Sequence, residues 1–342
     1  MFNSISFSPS ETAIIYSAEA NPETLDDLDE DPYPKYRFKP HFGESYPNIR
    51  RPVLVMVRWA DASTKAPLQN RLVRVISPTV SDNVVFGQAI FATEYRIFAT
   101  GFKKTQDDRC LGIKWCLNRP GSIWELTTSM NATSGDLQTA GDVAIDIPGR
   151  SCRSPRIFFD KHGTPKHFFW LSNPAGGIHS SSTSLHVRDL VGDTGDRVLV
   201  DSISDPGTQG FPGLYAELNI LPDPFIDDTT PSIVLQTIWG SSATIVSVNI
   251  ETGILTHERS QFGGDPLEAW TVLAADGCSQ MVCSQSSLTS PPKLVLLTLN
   301  DGKWVSRVLD SSDVSPQGKL QLSLVPRKAF RLSRMFSARS PR

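Results

Sequence analysis

Apolar positions along this chain come in short runs rich in Val, Ile, Leu, Phe and Thr, separated by clusters of Gly, Pro, Asn, Asp and Ser. That alternation is the signature of strands and turns, and the three-to-four spacing of an amphipathic helix is almost absent. Strands are predicted at Pro52–Trp59, Arg71–Ser77, Ser122–Thr127, Ser184–Leu190, Arg197–Ile203, Ala243–Ile250 and Lys293–Leu299. All are of ordinary strand length. The fold class predicted is all-β.

The runs recur as a pair of units. One is strand, polar turn, strand, seen at Ile5–Tyr16, Phe86–Ala99, Ser154–Leu171, Leu218–Thr237 and Trp270–Cys283. The other is a hairpin with a glycine-containing turn, clearest at Val246–His257 and Leu296–Val308. Joined, they make four antiparallel strands, repeated about five times at uneven spacing. One such sheet cannot bury both its faces, so neighbours must stack and supply each other's core. A β-propeller of about five blades is the architecture this predicts.

Two stretches depart from the repeat. Glu23–Asp31 holds six carboxylates in nine residues and precedes Pro32 and Pro34, which predicts a solvated loop. After Pro326 the chain has six basic residues and no acidic one, so residues 1–326 are assigned to the propeller and 327–342 to a disordered basic tail.

Charge and cysteine content narrow the function. Lys and Arg total 33 against 36 Asp and Glu, a net charge of -3, which favours neither nucleic acid nor an anionic membrane as a partner. Five cysteines, Cys110, Cys116, Cys152, Cys278 and Cys283, are an odd number and argue against a secreted disulfide framework. The N-terminal stretch has neither a basic region nor a long apolar core, so no signal peptide or anchor is expected. A cytoplasmic location follows as an expectation.

Chemistry is sparse. No G-x-S-x-G elbow, P-loop or dinucleotide fingerprint occurs. The pairs Cys110/Cys116, Cys278/Cys283 and His162/His167 match no metal-ligand spacing. No catalytic, cofactor-binding or metal residue is assigned, and no cofactor is expected.

The stretch Cys110–Leu126, CLGIKWCLNRPGSIWEL, resembles the propeller of acylaminoacyl-peptidases, a branch of the prolyl oligopeptidase group. Phe42-Gly43-Glu44 ahead of Pro52–Val57, Ser154-Pro155-Arg156, Leu218–Leu221 and Ser290-Pro291-Pro292 extend the resemblance in order and spacing from about residue 3 to 310. Cys110, Gly112, Asn118 and Arg119 carry it, and a tight turn at Asn118–Gly121 accounts for them structurally.

The resemblance implies a seven-bladed propeller that restricts access to short N-acylated peptides and packs on a C-terminal α/β-hydrolase domain holding a Ser-Asp-His triad. None of the triad falls within these residues, so the chain is expected to be non-catalytic. Relative to that ring it is expected to lack one or two blades and the hydrolase domain. Five blades in an open arc leave an apolar face uncovered, which predicts marginal solubility or self-association. A free-standing propeller acting as a protein-interaction scaffold is the alternative.

Overall fold

The computed structural model describes residues 4–20, 33, 36, 49–76, 84–106, 109, 112, 116–130, 137–192, 195–206, 210–216, 219–226, 231–258, 262, 268–312 and 318. The acidic loop Glu23–Asp31, the triplet Phe42-Gly43-Glu44, Cys110, Leu218 and the basic tail 327–342 lie outside them.

Among the described residues, twenty strands form five four-stranded antiparallel blades, each an up-and-down meander in chain order. Blade 1 is β1 (Ile5–Phe7), β2 (Ala13–Glu19), β3 (Pro52–Ala60) and β4 (Pro67–Ile76). Blade 2 is β5 (Val84–Phe91), β6 (Arg96–Lys103), β7 (Gly121–Met130) and β8 (Leu137–Ile145). Blade 3 is β9 (Arg150–Phe159), β10 (Pro165–Pro174), β11 (Ser184–Asp189) and β12 (Asp196–Val200). Blade 4 is β13 (Phe225–Ile226), β14 (Ser232–Trp239), β15 (Ser242–Asn249) and β16 (Leu255–His257). Blade 5 is β17 (Ala269–Ala275), β18 (Gln280–Ser287), β19 (Ser290–Asn300) and β20 (Lys303–Ser311). A single parallel bridge, Gly121 to Ser151, joins blades 2 and 3. All-β architecture and five blades agree with the repeat read from the sequence.

Turn chemistry sets the registers. β19 and β20 are joined by Asp301-Gly302, both at positive φ (49° and 73°), between the paired residues Asn300 and Lys303. This is the two-residue turn whose twist matches antiparallel strands, and Asp-Gly tolerates its left-handed backbone.

The hydrophobic core lies between the blades. Ala13, Ile15, Leu54 and Met56 of blade 1 pack on Phe86, Phe91, Trp124 and Leu126 of blade 2. Phe98, Ile123 and Ile145 of blade 2 meet Cys152, Phe168 and Trp170 of blade 3. Phe169, Leu185 and Val187 of blade 3 meet Phe225, Ile233 and Val246 of blade 4. Ile226, Val234 and Ile245 of blade 4 meet Trp270, Met281, Leu297 and Trp304 of blade 5. Four clusters thus correspond to four blade interfaces, as expected where no sheet closes its own core. On blades 1 and 5, Val73, Val75 and Val305 are each more than half exposed.

Candidate functional site: the inner wall of the blades

The first strands of blades 1, 2 and 3 lie innermost, around a shared cavity. β1, β5, β9 and the segment leading into β13 line a cavity of about 1070 Å³, whose wall includes Phe7, Tyr16, Gln88, Arg156, Asn219 and Asp223. Apolar side chains such as Ile90, Phe91 and Phe159 share the wall with these polar groups.

Two inner strands carry the same irregularity. In β5, Gln88 and Ala89 stand where Gly87 pairs with Thr100 and Ile90 with Phe98, so two residues face one across the ladder. In β9 the pairings Arg153 to Leu171 and Arg156 to Phe169 leave Ser154 and Pro155 in the same position. Both bulges open on a residue with positive φ, Gln88 at 53° and Ser154 at 57°. That region is disfavoured for side chains other than glycine, so something must hold these residues there.

What holds them is hydrogen bonding across the blade boundaries. Gln88 Oε1 accepts from the Ser154 backbone N–H (2.8 Å) and from the Thr100 hydroxyl (2.7 Å). Ser154 Oγ in turn accepts from the Ile220 N–H (2.7 Å). Gln88 Nε2 donates to Asn219 Oδ1. On the other side, Ser4 Oγ and Ser6 Oγ of blade 1 accept from the backbone of Ala89 (3.0 Å) and Phe91 (3.1 Å). Each inner strand therefore offers a side-chain oxygen to a backbone N–H of the next, from blade 1 through to the approach to blade 4. Gln88, Thr100 and Ser154 are all buried, so an unpaired member would be costly. Sequence reasoning missed Gln88 and Asn219. The one signal was a polar residue interrupting an apolar run.

Charge on the wall is held by burial. Arg156 donates to the carbonyls of Pro155 (2.6 Å), Ile220 and Leu221, and burial lowers its pKa to about 10. Asp223 is pushed above the ordinary carboxylate range by burial, partly offset by the Arg156 charge. Arg153, fully buried, donates to Asn173 Oδ1 at 2.6 Å, while its Nε and Nη2 meet no acceptor. Burial lowers its pKa to about 9.

A serine–histidine pair lies in blade 3. Ser172 Oγ sits 2.7 Å from His186 Nε2 and accepts from Arg150 Nε (3.0 Å) and Nη2 (2.8 Å), so its proton is directed to the imidazole. The His186 ring stacks on Trp170 with centroids 5.1 Å apart. Burial, reinforced by the Arg150 charge, holds the His186 pKa down at about 4. The nearby Asp201 accepts from Ser184, not from a ring nitrogen of His186. Ser172 is wholly buried, so no substrate carbonyl reaches its oxygen. The same arrangement recurs in blade 4, where His257 stacks on Trp239 and its Nε2 lies 2.8 Å from Thr244 Oγ1. Both are packing devices.

The motif residues hold a turn together. Asn118 Nδ2 donates to Gly177 O, and Gly176 N donates to Asn118 O at 2.9 Å, pinning the entry to β7 against the β10–β11 connection. Arg119 Nε donates to Gly112 O at 3.1 Å. The thiols of Cys152 and Cys283 are buried, and burial raises their pKa values to about 11 and about 12. No group of three or more His, Cys, Asp or Glu suited to a metal occurs among the described residues.

The family model of the acylamino-acid-releasing enzyme N-terminal domain matches residues 1–321. The chain belongs to this family. It is 27% identical over 370 residues to acylamino-acid-releasing enzyme 1 of Oryza sativa subsp. japonica, covering 96% of this chain and 45% of that protein. With the acylamino-acid-releasing enzyme of Arabidopsis thaliana it is 27% identical over 268 residues, covering 73% of this chain and 32% of the relative. The chain thus spans less than half the length of these relatives. Among solved structures, prolyl oligopeptidase B of Galerina marginata bound to a 35mer substrate superposes with a TM-score of 0.51 at 9% identity, over 93% of this chain and 36% of that one. At that identity the likeness is one of fold, the β-propeller of the prolyl oligopeptidases.

Proposed function

We propose that this acylamino-acid-releasing enzyme N-terminal domain acts as a non-catalytic gate: it packs on an α/β-hydrolase domain and limits which N-acylated peptides reach it. The observation that carries this reading is the cavity of about 1070 Å³ on the inner wall, bounded by strands whose register is fixed from blade to blade. A wall fixed in this way excludes by size, because widening it requires breaking several buried hydrogen bonds together. A reducing, cytoplasmic setting fits the free thiols of Cys116, Cys152, Cys278 and Cys283.

The test mixes the purified chain with the hydrolase domain of the rice relative and follows cleavage of an N-acetyl-alanine chromogenic substrate and of short and long N-acetylated peptides. The chain alone should give no turnover. The mixture should form a complex that cleaves the short peptides in preference to the long. Turnover by the chain alone, abolished by a serine-directed inhibitor, refutes the non-catalytic assignment. Equal cleavage of both lengths refutes gating, and failure to form a complex refutes packing.

A further inference from the structure

Arg153 stands opposite Leu171 in the β9–β10 ladder, and directly paired residues share a face of the sheet. Leu171 belongs to the cluster shared by blades 3 and 4, so Arg153 is aimed into that seam. Its Nη1 donates to Asn173 Oδ1 at 2.6 Å, whereas Nε and Nη2 are buried and meet no acceptor. Asn173 also holds the rim of the seam. Its Oδ1 accepts from Thr183 Oγ1 (3.1 Å), and its Nδ2 donates to Ser181 Oγ (3.0 Å). Thr183 in turn bridges to Leu214 on the approach to blade 4.

A buried charge is stable only when it is paired. Burial lowers the pKa of Arg153 to about 9, which still leaves the guanidinium cationic at pH 7. Among the described residues no carboxylate pairs with it. The ionisable group that acts on it is the Cys152 thiol, which burial keeps neutral by raising its pKa to about 11. The counter-charge therefore has to be brought in. The two remaining donors select its shape: Nε–H and Nη2–H lie along one edge of the planar group and point the same way, the fork that matches the two oxygens of a carboxylate.

We propose that the Nε–Nη2 edge of Arg153 binds a small carboxylate anion, of the size of acetate, and that this anion completes the seam between blades 3 and 4. The size follows from the surroundings, because Leu171, Asn173 and Leu214 are all wholly buried and leave no channel for a larger body. Entry is at the rim, where residues 176–180 are exposed and the Asn173 amide fastens the start of the following strand. The site is independent of the gating reading, since nothing in it requires a hydrolase domain.

Thermal unfolding of the full chain at pH 7 tests this, with chloride exchanged stepwise for acetate at constant ionic strength, and with acetamide or N-acetyl-dialanine added in parallel. The midpoint is expected to rise along a saturating curve with acetate and to ignore acetamide, which has no charge, and the dipeptide, which is too large. Arg153→Lys keeps the charge without the fork and should weaken the acetate response at least about thirtyfold. Arg153→Met, of similar volume and without the charge, should fold and not respond. No rise in the wild type overturns the proposal. So does a rise that never saturates or that Arg153→Met shares, which marks general salt exclusion from the surface. An equal response to acetamide refutes charge pairing, an equal response to the dipeptide refutes the size limit, and an undiminished response in Arg153→Lys refutes the fork.

Discussion

Gln88 Oε1 and the backbone N–H of Ser154 meet at 2.8 Å across the boundary between blades 2 and 3, and both residues stand in the left-handed backbone region. The bond and the strain belong together: each residue is held where its backbone resists going because its side chain is needed in the next blade.

Replacing Gln88 with Ala keeps the strained backbone and removes the acceptor shared by Ser154 and Thr100. Leaving the buried Thr100 hydroxyl without its acceptor, and the Ser154 N–H with only its longer bond to Thr100 Oγ1 (3.2 Å), should cost about 1–3 kcal/mol in urea unfolding. Gln88→Gly also loses the bonds but relieves the backbone, and should be about 1 kcal/mol less damaging than Ala. Equal losses for the two variants contradict the strain argument.

Gly101 allows the approach of Trp124. A Cβ at this position would lie 2.5 Å from Trp124 Nε1 and 2.7 Å from Val84 Cγ1. Gly101→Ala should therefore displace the indole and cost about 1–3 kcal/mol, read as a lower unfolding midpoint with a changed tryptophan emission. An unaltered midpoint would show that the ring has room to move.

Glu258 bridges the last two blades, accepting from Ser247 Oγ in blade 4 and, at 2.8 Å, from Trp304 Nε1 in blade 5. Glu258→Ala leaves a buried indole N–H unpaired, and about 1–3 kcal/mol should be lost. Because a blade contacts only its neighbours, hydrogen exchange should quicken in residues 269–311 and stay unchanged in blades 1 and 2. A uniform increase along the chain would argue for global cooperativity instead.

His186 makes stability depend on pH. The unfolded chain takes up a proton on this ring near 6.5, the folded chain only near 4. The contribution is intact above 6.5 and lost as pH falls from there toward 4, by roughly 3 kcal/mol in all. His186→Gln, whose amide can still meet Ser172, should flatten this part of the profile in urea titrations at pH 7 and pH 4.5. An unchanged slope would assign the acid sensitivity to other groups.

Legibility in the sequence followed burial. Strands such as Pro52–Ala60 and Ser242–Asn249 show their type because apolar residues recur through them. β8, Leu137–Ile145, escapes notice: it is an outermost strand, several of its side chains face water, and LQTAGDVAI has no apolar run. β13 has only two residues, Phe225 and Ile226, inside a longer predicted unit. The inner-wall network was the least visible part of the site. Nothing in Gln88 or Ser154 as residue types announces a left-handed backbone, and their partners are 66 residues apart in each step to the next blade.

Placing the core between the blades also governs how this kind of protein tolerates change in its gene. Loss or duplication of a blade at an end of the stack alters one contact surface, whereas the same event at blade 3 must rebuild two, together with the serine and glutamine bonds that cross them. Heritable variation in blade number is therefore expected to accumulate at the margins, with the middle of the molecule passed on intact.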